Sequence, residues 1–521
     1  CSYQNKNLVG GKNASLGELY RLSKELKFNI ADGFALTIDL YDQFILQNKF
    51  LEKIKQELQN VDPNNIDQLN TTADNIKNLI QMGFFTPDQK QQILENYNKL
   101  RTQYNNTLQV AVRSSAIAED LPGASFAGQQ DTYLNIETPE DFLAMSNNRS
   151  GNYVLKNDID FSGVEFVTPF TSSFIGSFEG NGFTLYNITI TESRLYNGVF
   201  GYISSGKVNN VVIDNLQIGT ADTPIQTSSS TKTGFLTGYQ ASSLSVIENV
   251  TIKNSNIYLE SASSTYVYVG GIAGEARGRI ENVTIENSAI TLMSTSNAIV
   301  RLGGGIGYGY ESLVSSKLNI HVDLTYSLEA EISTRSDRDF SMYVGGLIGD
   351  VDPQATQAGL LTEMIYTGNI VLSSIDYNTN ENDTSNYSLY VGGAFGVINR
   401  GFDDMYVDAN ISLIIDPIDV ANNVTQTLRF GGFAGLVNAY HEASHVVLEG
   451  GTMTLTFDQE NTQSRIAPFI GLSRLVVIEG YILNAITFEG VDIDASKDLT
   501  GLNSIQNFFE SEFMNAQLNA S

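Results

Sequence analysis

Two stretches of this 521-residue chain carry the residue types needed to hold a polyphosphate. The first is Val9-Gly10-Gly11-Lys12-Asn13-Ala14-Ser15-Leu16-Gly17-Glu18. The second is Val112-Arg113-Ser114-Ser115-Ala116, followed by Phe126-Ala127-Gly128-Gln129-Gln130-Asp131-Thr132. Backbone N–H groups in glycine-rich turns and two fixed cations, Lys12 and Arg113, can together neutralise a phosphate chain.

Positioning these residues requires mixed helices and strands. Leu16, Leu19, Leu22 and Leu26 recur at helical spacing, which predicts a helix over 15–28. Residues 33–37 suit a short strand, and 40–58 a second amphipathic helix. Pro63 and the asparagines after it interrupt the chain, and further helices are expected over 66–82 and 87–104. A strand over 108–112 would deliver Arg113 at its end.

With these motifs in this order, residues 1–136 resemble the start of phosphoenolpyruvate synthase and pyruvate phosphate dikinase, whose first domain is an ATP-grasp module. The resemblance implies that Lys12 and Arg113 contact ATP phosphates and that the Gly128-Gln129-Gln130 loop lies over them. Two positions depart from the family pattern: Ala31 replaces a usual Pro before Asp-Gly-Phe, and Ile117 replaces a common Thr. An ATP-grasp site also needs a second subdomain with carboxylates for Mg²⁺. That half is not recognisable after residue 136, nor is the family's phospho-carrier histidine. The three histidines, His321, His441 and His445, stand in other contexts.

Downstream the chain repeats. Asn187-Ile188-Thr189-Ile190, Asn210-Val211-Val212-Ile213, Asn249-Val250-Thr251-Ile252 and Asn282-Val283-Thr284-Ile285 share one pattern. Glycine pairs begin at Gly270, Gly303, Gly345, Gly392 and Gly431, with a further glycine three residues beyond each pair. Helix formers are sparse, and Val, Ile, Thr, Asn and Gly dominate. The pattern predicts short alternating strands with corners where Gly, and less readily Asn, take positive φ. The expected fold is therefore mainly β: a parallel β-helix solenoid over 151–495, preceded by a small α/β, partly ATP-grasp-like domain. Residues 138–150 are expected to form a capping helix and linker, and 496–521 a helical cap carrying Ile505, Phe508, Phe509 and Phe513. This region also resembles the GLUG-motif repeats of bacterial surface and adhesin-like proteins, which implies extracellular display and no catalytic residues.

Three further features bear on chemistry. His441-Glu442-Ala443-Ser444-His445 matches the zinc-peptidase pattern, which requires a helix to set both imidazoles on one face. The alternative is a strand beginning at His445, the position of Asn282 in an earlier repeat. Asp158 with Asp160 and Asp403 with Asp404 are the closest acid pairs, readable as solvated corners or weak Ca²⁺ sites. Tyr266, Tyr268, Tyr308, Tyr310, Tyr343 and Tyr390 either line a binding face or simply suit strands.

Charge separates the two regions. Of the formal net charge of −28, only −3 falls in residues 1–137, leaving −25 on the remainder. Such a field disfavours nucleic acid and anionic lipid as partners. The lone cysteine, Cys1, permits no internal disulfide; followed by Ser, it reads either as a lipid-anchored mature terminus or as the start of a fragment. No transmembrane span is expected.

The reading from sequence is a non-catalytic, surface or secreted β-helix protein that binds a glycan or another cell's macromolecule. It expects no catalytic residue, no metal site and no cofactor. The rival reading is an ATP-binding phosphotransferase of the pyruvate, water dikinase type, cytoplasmic and using ATP and Mg²⁺. A second rival is a zinc peptidase.

Overall fold

Of the N-terminal helices, the first begins nine residues earlier than the leucine spacing predicts. In the computed structural model α1 spans Lys6–Leu26 and ends where Lys27 turns to φ 57°. The structure describes residues 3–59, 83–103, 112–113 and 132–488, with isolated positions at 61–80 and 110. Within these it leaves aside 31, 264, 297, 329–339, 353–360, 376–386, 416–425, 439–442, 450–451, 458–461, 468–469, 474–477 and 485–486. The chain divides into two units, Cys1–Tyr133 and Leu134–Ser521.

In the first unit, α1 buries Val9, Gly10, Gly11, Ala14 and Ser23, whereas Leu16, Leu19 and Leu26 are exposed. The helix expected over 40–58 is two, α2 (Ile38–Gln47) and α3 (Phe50–Gln59). They separate at Lys49, with φ 58°. The Asn48 side chain holds this break by accepting from Phe84 N at 3.0 Å and donating to Phe84 O at 3.1 Å. Phe44, Ile45 and Phe50 make a small core with Ile54, Leu79, Ile80 and Phe85. Helix α4 (Pro87–Gln103) is present as expected, capped reciprocally by Thr86 and Gln89. Residues 33–37 form no strand.

At the start of the second unit, Thr138 caps α5 (Pro139–Leu143). Its Oγ1 accepts from Asp141 N at 3.2 Å, and Asp141 Oδ2 accepts from Thr138 N at 3.1 Å. A 3₁₀ turn over Ala144–Asn147 follows it. Phe142 is fully buried against Phe161, Phe166, Phe178 and Phe200, so this turn closes one end of the core.

The expectation of a β-helix solenoid preceded by a small α/β domain is corrected. Among the described residues the strands form three broad sheets of 20, 8 and 8 strands, parallel apart from one antiparallel pair and accompanied by few helices. Among the described residues the first unit is mainly helical; its strand Val112–Arg113 pairs antiparallel with Thr132 and Tyr133. The reason lies in how the repeats pair. Like segments meet side by side, Val211 with Val250 with Val283, and Ile213 with Ile252 with Ile285. The glycine pairs align likewise, Gly270 with Gly303, Gly345, Gly392 and Gly431 in turn. Lateral pairing of equivalent strands extends each sheet, and Ile247, Val250 and Ile252, alternating except where Asn249 interrupts, fill the core.

The glycine pairs serve a different purpose from the expected one. Gly271, Gly304, Gly346 and Gly393 have ordinary φ, and it is asparagine that takes the left-handed conformation: Asn210, Asn249 and Asn282 lie at φ 53–55°. Glycine is required by space: a Cβ at each of those four positions would stand 2.2 Å from a carbonyl oxygen of the next repeat. The expected cap over 496–521 lies outside the described residues.

Candidate functional site

Gly10 breaks α1, with φ 77° and ψ 168°, a conformation open only to glycine. The break makes Gly11 the effective start of a second helical segment and puts Lys12 and Asn13 in its first turn. Asn13 Nδ2 donates to Val9 O at 3.1 Å across the kink, and Lys12 is exposed. The N-terminus of a helical segment, beside a lysine, suits an anion. Arg113 is placed on the strand Val112–Arg113, opposite Thr132. Gly128, Gln129 and Gln130 lie outside the described residues.

In the second unit the acid pairs lie on or beside strands, Asp160 on Ile159–Asp160 and Asp403 with Asp404 within Phe402–Ile415. Asp158 Oδ1 accepts from Thr184 N at 2.8 Å. Asp160 accepts from Asn187 Nδ2 and Ser162 N, each at 2.9 Å, and the Asn187 bond, the leading cause, holds its pKa below the usual range. Among the described residues no group of three His, Cys, Asp or Glu side chains could hold a metal. The zinc-peptidase reading is corrected by the backbone: His445 lies on the strand Ala443–Glu449, so the required helix is absent there. Register places it as expected. Left-handed positions run Asn282, Lys317, Glu363 and Asp404, and His445 follows Asp404 between the pairs Asp403–Ser444 and Met405–Val446. His441 and Glu442 lie outside the described residues.

The tyrosines form a cross-strand array that sequence reading treated as a binding face or as strand filler. In one eight-stranded sheet the aligned positions read Tyr196, Lys232, Tyr268, Arg301, Tyr343, Tyr390 and Arg429. In the other they read Tyr202, Tyr239, Glu275, Tyr308 and Asp350. Lys232 Nζ sits 2.6 Å from Glu275 and 3.8 Å from the Tyr239 ring centroid. Arg301 Nε donates to Asp350 at 2.6 Å, and its guanidinium lies 4.0 Å from the Tyr308 ring centroid. Burial opposes the Arg301 charge, but Asp350, Tyr268 and Tyr308 together outweigh it and raise the pKa. Sequence reasoning missed these cations. The signal was present, since Lys232, Arg301 and Arg429 each stand two residues before a glycine, the place of Tyr268, Tyr343 and Tyr390.

This array predicts alkaline sensitivity. Burial pushes Tyr239 and Tyr268 from the ordinary value of 10.0 up to about 12. A folded-state pKa above the unfolded one gives stability that is complete below pH ~10 and lost as pH rises through ~12. Tyr268 alone should forfeit on the order of 2 kcal/mol. Urea unfolding at about pH 9 and about pH 11.5 measures this; equal midpoints would contradict the burial of these phenols.

No described helix is long and apolar enough to cross a membrane. Comparison with known proteins then places the phosphate-handling motifs. The family model for the pyruvate phosphate dikinase AMP/ATP-binding domain matches residues 6–214. Phosphoenolpyruvate synthase of Helicobacter pylori (strain ATCC 700392 / 26695) is 45% identical over 141 residues, covering 27% of this chain and 17% of that protein. The Escherichia coli (strain K12) phosphoenolpyruvate synthase is 36% identical over 164 residues, covering 30% and 21%. The probable phosphoenolpyruvate synthase of Methanothermobacter thermautotrophicus is 33% identical over 203 residues, covering 37% and 29%. The chain thus spans less than a third of each of these relatives, and no solved structure matches it.

The N-terminal region therefore matches the ATP-binding domain of this family, and the match runs on to residue 214, past the boundary of 136 set from sequence. This overturns the reading of a non-catalytic, adhesin-like surface protein, and the lipid-anchor reading is set aside with it. The matches do not carry the resemblance to GLUG-motif repeats.

Proposed function

We propose that this chain is the ATP-binding part of an ATP-dependent phosphotransferase of the pyruvate, water dikinase type. The observation that carries the reading is the family match over 6–214, together with the Gly10 break that sets Gly11 and Lys12 at a helix start. In this reading Lys12 and Arg113 neutralise the phosphates while Gly128, Gln129 and Gln130 cover them. Mg²⁺ arrives bound to the nucleotide through phosphate oxygens, as is usual for this ion. Fixed cations and backbone N–H groups supply what phosphoryl transfer most needs, positioning and charge stabilisation. A cytoplasmic location follows, because that is where ATP is held.

Titration calorimetry with Mg-ATP tests this. The full chain should bind saturably, and Lys12→Ala should weaken binding about tenfold or more, through loss of a charge-assisted contact. No heat at millimolar nucleotide, or an unaffected Lys12→Ala variant, would sink the proposal.

A further inference from the structure

The large sheet carries a cavity of about 620 Å³, lined by Asn181, Asn210, Asn249, Asn282, Thr251 and Thr284 among others. Its origin is local. Asn210, Asn249 and Asn282 each take positive φ and drop out of the pairing register, which runs from Asn209–Glu248–Glu281 straight to Val211–Val250–Val283. One bend per strand, at the same place in neighbouring strands, leaves a trough across the sheet. The buried valines that follow anchor it from below.

The amides are already ordered. Asn282 Nδ2 donates to Asn249 Oδ1 at 2.6 Å, Asn249 Nδ2 to Asn209 Oδ1 at 3.0 Å, and Asn210 Nδ2 to Glu179 at 2.9 Å. A carboxamide has two N–H donors and two acceptor lone pairs, so each keeps hydrogen-bonding capacity beyond this row. The threonine hydroxyls add a second row, and both advance by the strand separation of about 4.8 Å. The floor is uncharged, while Glu179 borders it and the region carries the chain's acidic excess. Anions are repelled by that field, and amides and hydroxyls outnumber the two valines in the lining, which disfavours a purely hydrophobic ligand.

We infer that this trough binds a neutral, linear, polyhydroxylated ligand, an oligosaccharide lying across the strands with its hydroxyls exchanging hydrogen bonds with the amide and threonine rows. Rows fixed before binding lower the ordering cost of such a ligand. None of its lining residues belongs to the nucleotide motifs at 9–18, 112–116 and 126–132.

Titration of the full chain with maltohexaose and with cellohexaose tests it. At least one should bind saturably, and the near-isosteric double variant Thr251→Val/Thr284→Val should weaken that binding roughly tenfold. The variant's thermal midpoint should stay unchanged, which separates a lost ligand contact from a lost fold. Saturable heat from neither hexasaccharide up to about 10 mM would overturn the inference, as would a double variant that binds like the parent.

Discussion

Gly304→Ala should destabilise the sheet unit by about 3 kcal/mol or more, since overpacking here has no side chain able to yield. The new methyl would stand 2.2 Å from Gly346 O and 3.1 Å from the Tyr366 ring. Gly304 N donates to Gly345 O at 3.1 Å, and Gly304 O accepts from Gly271 N at 3.1 Å. Relieving the clash therefore means parting strands that these bonds hold together. The same 2.2 Å approach recurs at Gly271, Gly346 and Gly393, so movement at one repeat is transmitted to the next. Gly33→Ala is the control, because a Cβ there meets nothing within 4 Å. Urea unfolding of the three proteins measures the difference. A Gly304→Ala variant within about 1 kcal/mol of the parent would mean that the close approach is not what these glycines serve.

That result bears on what could be read from sequence. The recurrence of glycine pairs was legible, and so was its consequence, parallel alignment of equivalent strands. The cause was not. Positive φ and close backbone approach leave the same trace, a glycine, and only the strand packing distinguishes them. Asparagine was the more direct signal: its preference for left-handed backbone placed Asn210, Asn249 and Asn282 at bends that the register confirms. Beyond residue 310 that signal fails, because Lys317, Glu363 and Asp404 take the same conformation without advertising it. The global arrangement into broad sheets was misjudged for a related reason. A period fixes which strands are equivalent, but not how widely the sheets they build extend.

In the N-terminal unit the helix faces were not legible, whereas the motifs around Lys12 and Arg113 lie within the stretch that the family match covers. The burial of Val9 and Ala14 in place of Leu16 and Leu19 could not be foreseen from the leucine spacing. Nor does residue 136 look like a continuing domain by composition, although the family match passes through it to residue 214.

The tyrosine and cation array offers the second large effect. Glu275 is almost wholly buried, with Lys232 at 2.6 Å and Arg277 at 2.8 Å, and its side chain and that of Lys232 are 3% and 9% exposed. Burial lowers the Lys232 pKa, and Glu275 only partly offsets that. Glu275→Ala should therefore cost about 3–5 kcal/mol, most of it the penalty of a buried ammonium without its carboxylate. The double variant Lys232→Met/Glu275→Ala should regain much of this loss, because the buried ammonium is gone, only the more exposed Arg277 is left without the carboxylate, and the methionine packs against the Tyr239 ring. A pH signature separates charge from packing. With Lys232 left alone and its folded-state pKa below the unfolded one, the unfolded chain binds more protons. Stability of Glu275→Ala should accordingly rise between about pH 7 and about pH 9.5, below the range in which the tyrosines titrate. If the single and double variants are equally destabilised and neither gains with pH, the cost is packing and the ion pair contributes nothing specific. A rise confined to the single variant would make Lys232 the group held in place by its partner across the two sheets.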